Sequence, residues 1–297
     1  MTLYSKTIKC MDSDSILQIG GHVETFISYA EYLEDLILYD ALKRFGEGFY
    51  IDIGAFDPID ISVTKAFSLR GWRGINVEPL KDKFALFELD RPRDINIQMA
   101  ISNYNGVITL FEAEGASTVE TVTLKSVKKN NALTGSNEVA TITMEKLVKD
   151  YLPRGKDITF LKIDVEGHEE KVLESMNFTY GRPIVIVVES VIPWKGTPAF
   201  EKWEYILFDA GYTFAHDYRN NRYYLNKTHS EIRFRKIEEL LKDYRIFIIS
   251  EVNNKYRLSY MAIESVFAEH PNLKLFTLRI IRLIYPFVSK YLKSFVN

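Results

Sequence analysis

The chain has 297 residues, 46% of them apolar, enough to bury a substantial core in one main domain with an appendage. Its formal charge of −2 leaves no basic footprint of the kind that nucleic acid requires, and the single cysteine, Cys10, excludes an intramolecular disulfide framework and suits a reducing cytoplasm. Residues 1–14 lack an apolar core flanked by a cleavage site, and no run reaches the roughly 18 apolar residues of a bilayer span. The expectation is a cytoplasmic, globular protein without internal repeats.

Residues 1–21 are mixed in character. From 24 to 45 apolar residues recur at helical spacing (Phe26, Tyr29, Leu33, Leu36, Ile37, Leu42) until Gly46 and Gly48 stop the pattern, which predicts an opening helix. Glu34 and Asp35 lie on it, either as a solvated face or as part of a site. Residues 49–53 are β-branched and aromatic and break at Gly54, as the first buried strand of an α/β sheet does when it ends in a ligand-facing turn. Gly54 allows close backbone approach to a ligand, and Asp52 and Asp57 flank the turn as hydrogen-bond acceptors. Glu78 closes the next apolar run, where an acidic residue usually grips a ribose diol. A dinucleotide fingerprint would place glycines where Phe56 and Pro58 stand, so a pyrophosphate has no obvious cradle. A cofactor without phosphates fits better, and S-adenosylmethionine (SAM) is such a cofactor.

Residues 61–69 read as the first crossover helix, with Ser62 and Thr64 at its start as caps or as ligand contacts. Trp72 is expected between helix and sheet. Residues 95–101 predict a third strand, with Ala100, Ile101 and Ser102 placed to read an adenine rim. After the turn at Tyr104-Asn105-Gly106 comes a polar stretch, 113–138, expected to be a substrate loop or lid with short strands of its own.

Residues 158–163 form another buried strand, running into Asp164-Val165-Glu166-Gly167-His168-Glu169. Alternation sends Asp164 and Glu166 to one side while the strand lasts, and His168 then begins a helix. His168 can take a proton at neutral pH; Glu166 or Asp164 can act as the base instead, or orient it. Asp164, Glu166, His168 and Glu189 also leave a metal reading open, an oxygen-rich set with one imidazole, although acidic residues at a cofactor edge need no metal and the spacing matches no metal motif. Residues 184–188 predict a fifth strand that ends in Glu189, a substrate or base candidate on the same edge. A helix over 200–210 stops at Gly211, and 212–216 with 222–225 reads as a closing strand pair. Tyr223 and Tyr224 offer either an aromatic platform or ordinary packing. Residues 227–297 read as helical. The segment 270–297 carries Lys and Arg without acidic side chains, which suits an anionic membrane surface, the body of the protein or a second subunit.

The segments 48–55, 71–79, 100–102 and 161–169 resemble the FkbM family of SAM-dependent methyltransferases, over roughly residues 26–226. The resemblance implies O-methylation, often of hydroxyls on sugars or polyketides. It implies a doubly wound α/β fold with a mostly parallel seven-stranded sheet over 46–226; beyond the resemblance, an N-terminal segment (1–45) and the helical C-terminal extension (227–297) flank that domain. In this reading Asp52, Gly54, Ala55, Phe56, Asp57, Glu78, Pro79, Ala100, Ile101, Ser102 and Asp164 hold the cofactor. His168, Glu166 and Asp164 form the catalytic set, and Thr64, Glu189 and Asn221 meet the substrate. Glu34-Asp35, Ser117-Thr118 and Asp217 echo family features. The expected acceptor is a glycan, in a surface polysaccharide or its lipid-linked precursor, and a homo-oligomer stays open. Two alternatives stand beside it: a nicotinamide-dependent oxidoreductase, and a non-catalytic scaffold on the same fold.

Overall fold

The computed structural model describes residues 24–113, 116–118, 133–192, 195–251 and 256–260. They fall into two compact units, one spanning 30–234 and the other made from the two ends of the chain, up to Tyr29 and from Arg235 onward. This division differs from the expected cuts at 45 and 226, because the two ends share a sheet.

That sheet begins with β1 (Glu24–Ser28). The helical spacing read over 24–45 therefore holds only in its later part, the helix Glu34–Leu42 with a 3₁₀ turn at Lys43–Phe45. Thr25, Phe26 and Ile27 are strand formers, and a parallel partner far along the chain overrides the local pattern.

In the larger unit β2 (Phe49–Ile53) is buried at every residue. The expected helix over 61–69 shrinks to Lys65–Ser68. Asp57 explains why: its Oδ1 accepts from the backbone N–H groups of Ile59 and Asp60, holding a turn, and Ile61 adopts a left-handed φ of 49°. Ser62 Oγ then accepts from the N–H of Lys65, the ordinary capping use. β3 (Arg73–Val77) and β4 (Ile95–Ile97) follow around the helix Lys81–Asp90. The strand expected over 95–101 is broken at Gln98 and Met99. β5 (Ala100–Ile101) leaves for a second sheet, where it joins β6 (Gly106–Ala113), β7 (Ala116–Thr118) and β8 (Leu133–Ile142) in the order β5-β8-β6-β7. Residues 133–138 of the expected loop are thus strand; most of the rest of it lies outside the described residues.

Helix Met144–Tyr151, capped by Thr143, leads to β9 (Phe160–Ile163), and helix Glu169–Glu174 to β10 (Val185–Glu189). The short pair β11 (Val191–Ile192) and β12 (Thr197–Pro198) precedes helix Glu204–Asp209, and β13 (Tyr212–Tyr218) with β14 (Asn221–Asn226) closes the unit as a hairpin. The central sheet has seven strands in the order β13-β14-β10-β9-β2-β3-β4, parallel except for β14. This is the expected doubly wound sheet. From β2 the chain steps outward through β3 and β4, then crosses back to β9 and β10 on the other side. The reversal leaves a crevice at the carboxyl ends of β2 and β9, where open α/β sheets bind ligands.

Both faces of the sheet are covered. On one, Tyr50 stacks on Phe160 at 5.7 Å, and Phe67 and Trp72 pack on the same ring. On the other, Ile51, Leu161 and Ile186 join Leu147, Val172, Leu173 and Trp203 in one core cluster. Tyr223 and Tyr224 are fully buried, so neither offers a platform to a sugar; they pack on Phe234 and on Trp203.

In the smaller unit, helix Ile237–Asp243 precedes β15 (Tyr244–Glu251) and β16 (Tyr256–Tyr260), and the sheet order is β1-β15-β16. Phe26 meets the Tyr244 ring edge-on at 6.2 Å. The described part of the extension after 227 is therefore strand as well as helix. Residues 1–21 and the basic segment 270–297 lie outside the described residues. Among the described residues, no helix is long and apolar enough to cross a membrane.

Candidate active site

A cavity of about 220 Å³ opens at the carboxyl edge of the central sheet. Its walls come from the ends of β2, β3, β9 and β10 and from the second sheet. One side is apolar, with Ala55, Phe56, Val77, Pro79, Met99, Ala100 and Ile101. The other is dense in carboxyl groups: Glu31, Asp52, Glu78, Asp164, Glu166 and Glu189, with Lys162 and His168 among them.

Asp52 is 4% exposed and its Oδ2 accepts from the Thr64 hydroxyl at 3.0 Å. Burial pushes its carboxyl up to about 6, against the pull of Lys162, Thr64 and Arg91. Glu78, at the end of β3, accepts from the backbone N–H of Phe56 at 2.8 Å and of Leu80 at 2.7 Å, one on each oxygen. Burial raises it to about 7 despite those donors and Lys83. Each oxygen keeps a second lone pair for a ligand.

Gly54 has φ +77°, and a Cβ there would stand 1.8 Å from the carbonyl oxygen of Asp164. The glycine is needed so that the turns after β2 and β9 can touch, a contact that adds to the close ligand approach expected of it. Five described non-glycine residues have left-handed backbone, and three of them, Phe56, Ile61 and Glu166, line this cavity. Such conformations cost about 1–3 kcal/mol each and gather where function requires them.

Lys162, whose role the sequence reading misses, lines the polar wall. It is 3% exposed, and its Nζ donates to Asp164 Oδ2 at 2.8 Å. Burial pulls its ammonium down, but Asp164, Glu34 and Glu189 around it outweigh that and hold it above its ordinary value. The signal was present as the one charged residue inside the apolar run Ile158-Thr159-Phe160-Leu161-Lys162-Ile163. Glu169 was also passed over: its Oε1 accepts from the N–H groups of Val165 and Gly167 and braces the turn between them.

The turn after β9 departs from simple alternation, because the strand ends at Ile163 and Glu166 turns left-handed (φ 55°). Asp164, Glu166 and His168 nevertheless all reach the cavity, and Glu189 joins them from β10. His168 Nε2 lies 3.0 Å from Ser102 Oγ, so the fully buried Ser102 steadies the imidazole rather than lining the cavity. Burial and the neighbouring Asp164 raise the Glu166 carboxyl, and burial with Asp164, Glu166 and Glu169 raises Glu189 much further.

Four other expected contacts fall outside the cavity wall. Asp57 is occupied by its turn and by Lys83 Nζ at 3.1 Å. Thr64 serves Asp52, Asn221 Nδ2 donates to Glu34 Oε1 at 2.8 Å, and Asp217 is an exposed residue of β13. Glu34 and Asp35 are buried rather than solvated, and burial lifts Glu34 to about 7.

Residues 52–214 match the methyltransferase FkbM domain. No curated protein matches the chain. Among solved structures it is similar to precorrin-6y C5,15-methyltransferase from Geobacter metallireducens GS-15, at 15% identity over 69% of this chain and 96% of that one, with a TM-score of 0.32. The matched region runs from within β2 to the start of β13 and holds β3, β4, β9, β10, the strained turns and every residue of the polar wall except Glu31, and the chain belongs to the FkbM family of methyltransferases.

Proposed function

We propose that this methyltransferase takes its methyl group from SAM and delivers it to a hydroxyl, the acceptor being a sugar of a surface polysaccharide or of its lipid-linked precursor. The observation that carries the reading is the junction of a tight Gly54 turn, Asp52, Glu78 and Asp164 around one cavity with an apolar wall. The donor set suits that cofactor. Glu78 presents two oxygens, each with a lone pair for a ribose hydroxyl. Met99, Ala100 and Ile101 give an apolar wall for a purine, and Asp52 and Asp164 face an ammonium group. No glycine-rich cradle for a pyrophosphate accompanies them, which disfavours the nicotinamide alternative.

When bound, SAM supplies an electrophilic methyl on a sulfonium, ready for in-line displacement. The chain holds the reactants in line, and such alignment can supply about 7–11 kcal/mol of the barrier. Glu166, on the left-handed turn, lines the cavity together with His168 and Glu189, and these groups would face the acceptor. A base drawn from this set receives the hydroxyl proton and contributes about 10²–10⁴-fold. The sugar acceptor rests on family analogy.

Incubation of the full chain with methyl-labelled SAM and a glycan fraction from its own cells tests the reading. Label that resists mild alkali and is recovered as a sugar methyl ether supports it. Label lost to alkali as an ester, or recovered on nitrogen or carbon, overturns the O-methyl assignment.

A further inference from the structure

Glu189 is the least satisfied polar group of the cavity wall. It is 8% exposed, and its Oε2 is buried with no hydrogen-bond partner among the described residues. From the turn after β9, Asp164, Glu166 and Glu169 face it, and from β9 itself Lys162. Across β14 its register partner is Asn221, whose amide nitrogen already serves Glu34. Lys162, the cation whose charge acts on it, donates to Asp164. A carboxylate in that position would bury an unpaired charge beside like charges, whereas a carboxyl group would not.

Resting on the SAM reading above, we propose that Glu189 holds a proton while the cavity is empty, releases it when the sulfonium cation enters, and is then the base that receives the acceptor's hydroxyl proton. The charges balance through the cycle. Loading exchanges a proton, lost to solvent, for one positive charge on sulfur. In the transfer the S–C bond breaks with its electron pair staying on sulfur, an oxygen lone pair forms the new O–C bond, and the O–H proton passes to Glu189. The by-product, S-adenosylhomocysteine (SAH), is then a neutral thioether beside a protonated Glu189, the charge state of the empty cavity. The base is thus ionised only when a methyl group is in place, and an empty cavity does not draw protons from acceptors.

Calorimetric titration of the full chain near neutral pH, in phosphate and in Tris, reads the proton directly, since the two buffers differ widely in ionisation heat. SAM binding is expected to release about one proton per molecule, with its Kd falling up to about tenfold per pH unit. SAH carries the same amine and carboxylate without the sulfonium, so it is expected to release about one proton fewer than SAM. Glu189→Gln is expected to lose that difference, its heats with SAM depending on buffer no more than those with SAH. SAM binding with equal heats in wild type would overturn the proposal, as would a Glu189→Gln protein that releases the wild-type proton. If that variant does not fold, the wild-type contrast between SAM and SAH decides. A folded wild type that gives no heat with SAM at all would instead strike the cofactor reading.

Discussion

Two turns meet at the crevice, one after β2 and one after β9, and they are built alike but used differently. Both follow the ends of adjacent parallel strands, and both hold a non-glycine residue in left-handed backbone, Phe56 in the first and Glu166 in the second, each at φ 55°. The first is tied by its backbone: Gly54 and Ala55 N–H donate to Val77 O at 3.0 and 3.1 Å, and Phe56 N–H to Glu78. It contributes shape. The second is braced by Glu169 from within and carries Asp164, Glu166 and His168 outward. It contributes charge. The comparison teaches that glycine and backbone fit are critical on one side of the cavity, and proton inventory on the other.

The first turn breaks most completely at Gly54. Gly54→Ala places a methyl against Asp164 O and is expected to abolish SAM binding and lower Tm steeply. Gly46→Ala shares the positive φ but meets nothing within 4 Å, so it should cost only about 1–3 kcal/mol for a backbone conformation (φ 72°, ψ −142°) that side chains rarely adopt. Parallel thermal melts and titrations check the pair; equal losses would mean that backbone strain, rather than the contact between turns, explains the glycine.

On the charged side, Glu189→Gln is expected to slow methyl transfer by about 10²–10⁴-fold, and His168→Ala by less, since Ser102 already engages its Nε2. Rates measured with saturating SAM would show the order, and a reversed order returns the base to His168.

Between these extremes stands Glu78, a carboxyl group at the end of β3 that holds the first turn. Glu78→Gln removes the charge and turns an NH₂ group toward one of two backbone N–H donors. SAM affinity should fall about 10–100-fold, the weight of lost hydrogen bonds to a charged group, in a titration against wild type.

The pH dependence of stability sharpens the contrast further. Asp52, Glu78 and Glu34 all have folded-state pKa values raised above their ordinary ones, to about 6, 7 and 7. Stability from such groups is complete below the unfolded pKa and is lost as pH rises through the folded one. The empty protein should therefore melt higher near about pH 5 than near about pH 8, with bound SAM narrowing the gap. Differential scanning calorimetry at the two values tests this, and a higher Tm at the alkaline end contradicts it.

The smallest effect is expected at Thr64→Val, which deletes one hydrogen bond to Asp52 and should cost about 1 kcal/mol in a denaturant titration. It should also raise the Asp52 carboxyl further, since the hydroxyl favours its charged form.

The central strands were legible because runs such as Val185-Ile186-Val187-Val188 fit only a doubly covered sheet, and their acidic ends marked the edge where the cavity lies. Three things were not legible, each for a physical reason. Phe26 fits both a helical and a strand pattern, and only pairing with β15, far along the chain, selects the strand. Asp57 followed by Pro58 is a turn signal as well as a ligand signal, and its carboxylate serves the turn. Glu34 looks like an ordinary surface charge in one dimension, and burial, which decides its role, is a property of the assembled fold.

The measurement that tests the functional reading most directly is calorimetric titration of the folded, cofactor-free chain with SAM. Saturable binding, lost in Gly54→Ala and weakened in Glu78→Gln, is the expected result. A folded protein free of bound SAM or SAH that gives no binding heat would contradict it.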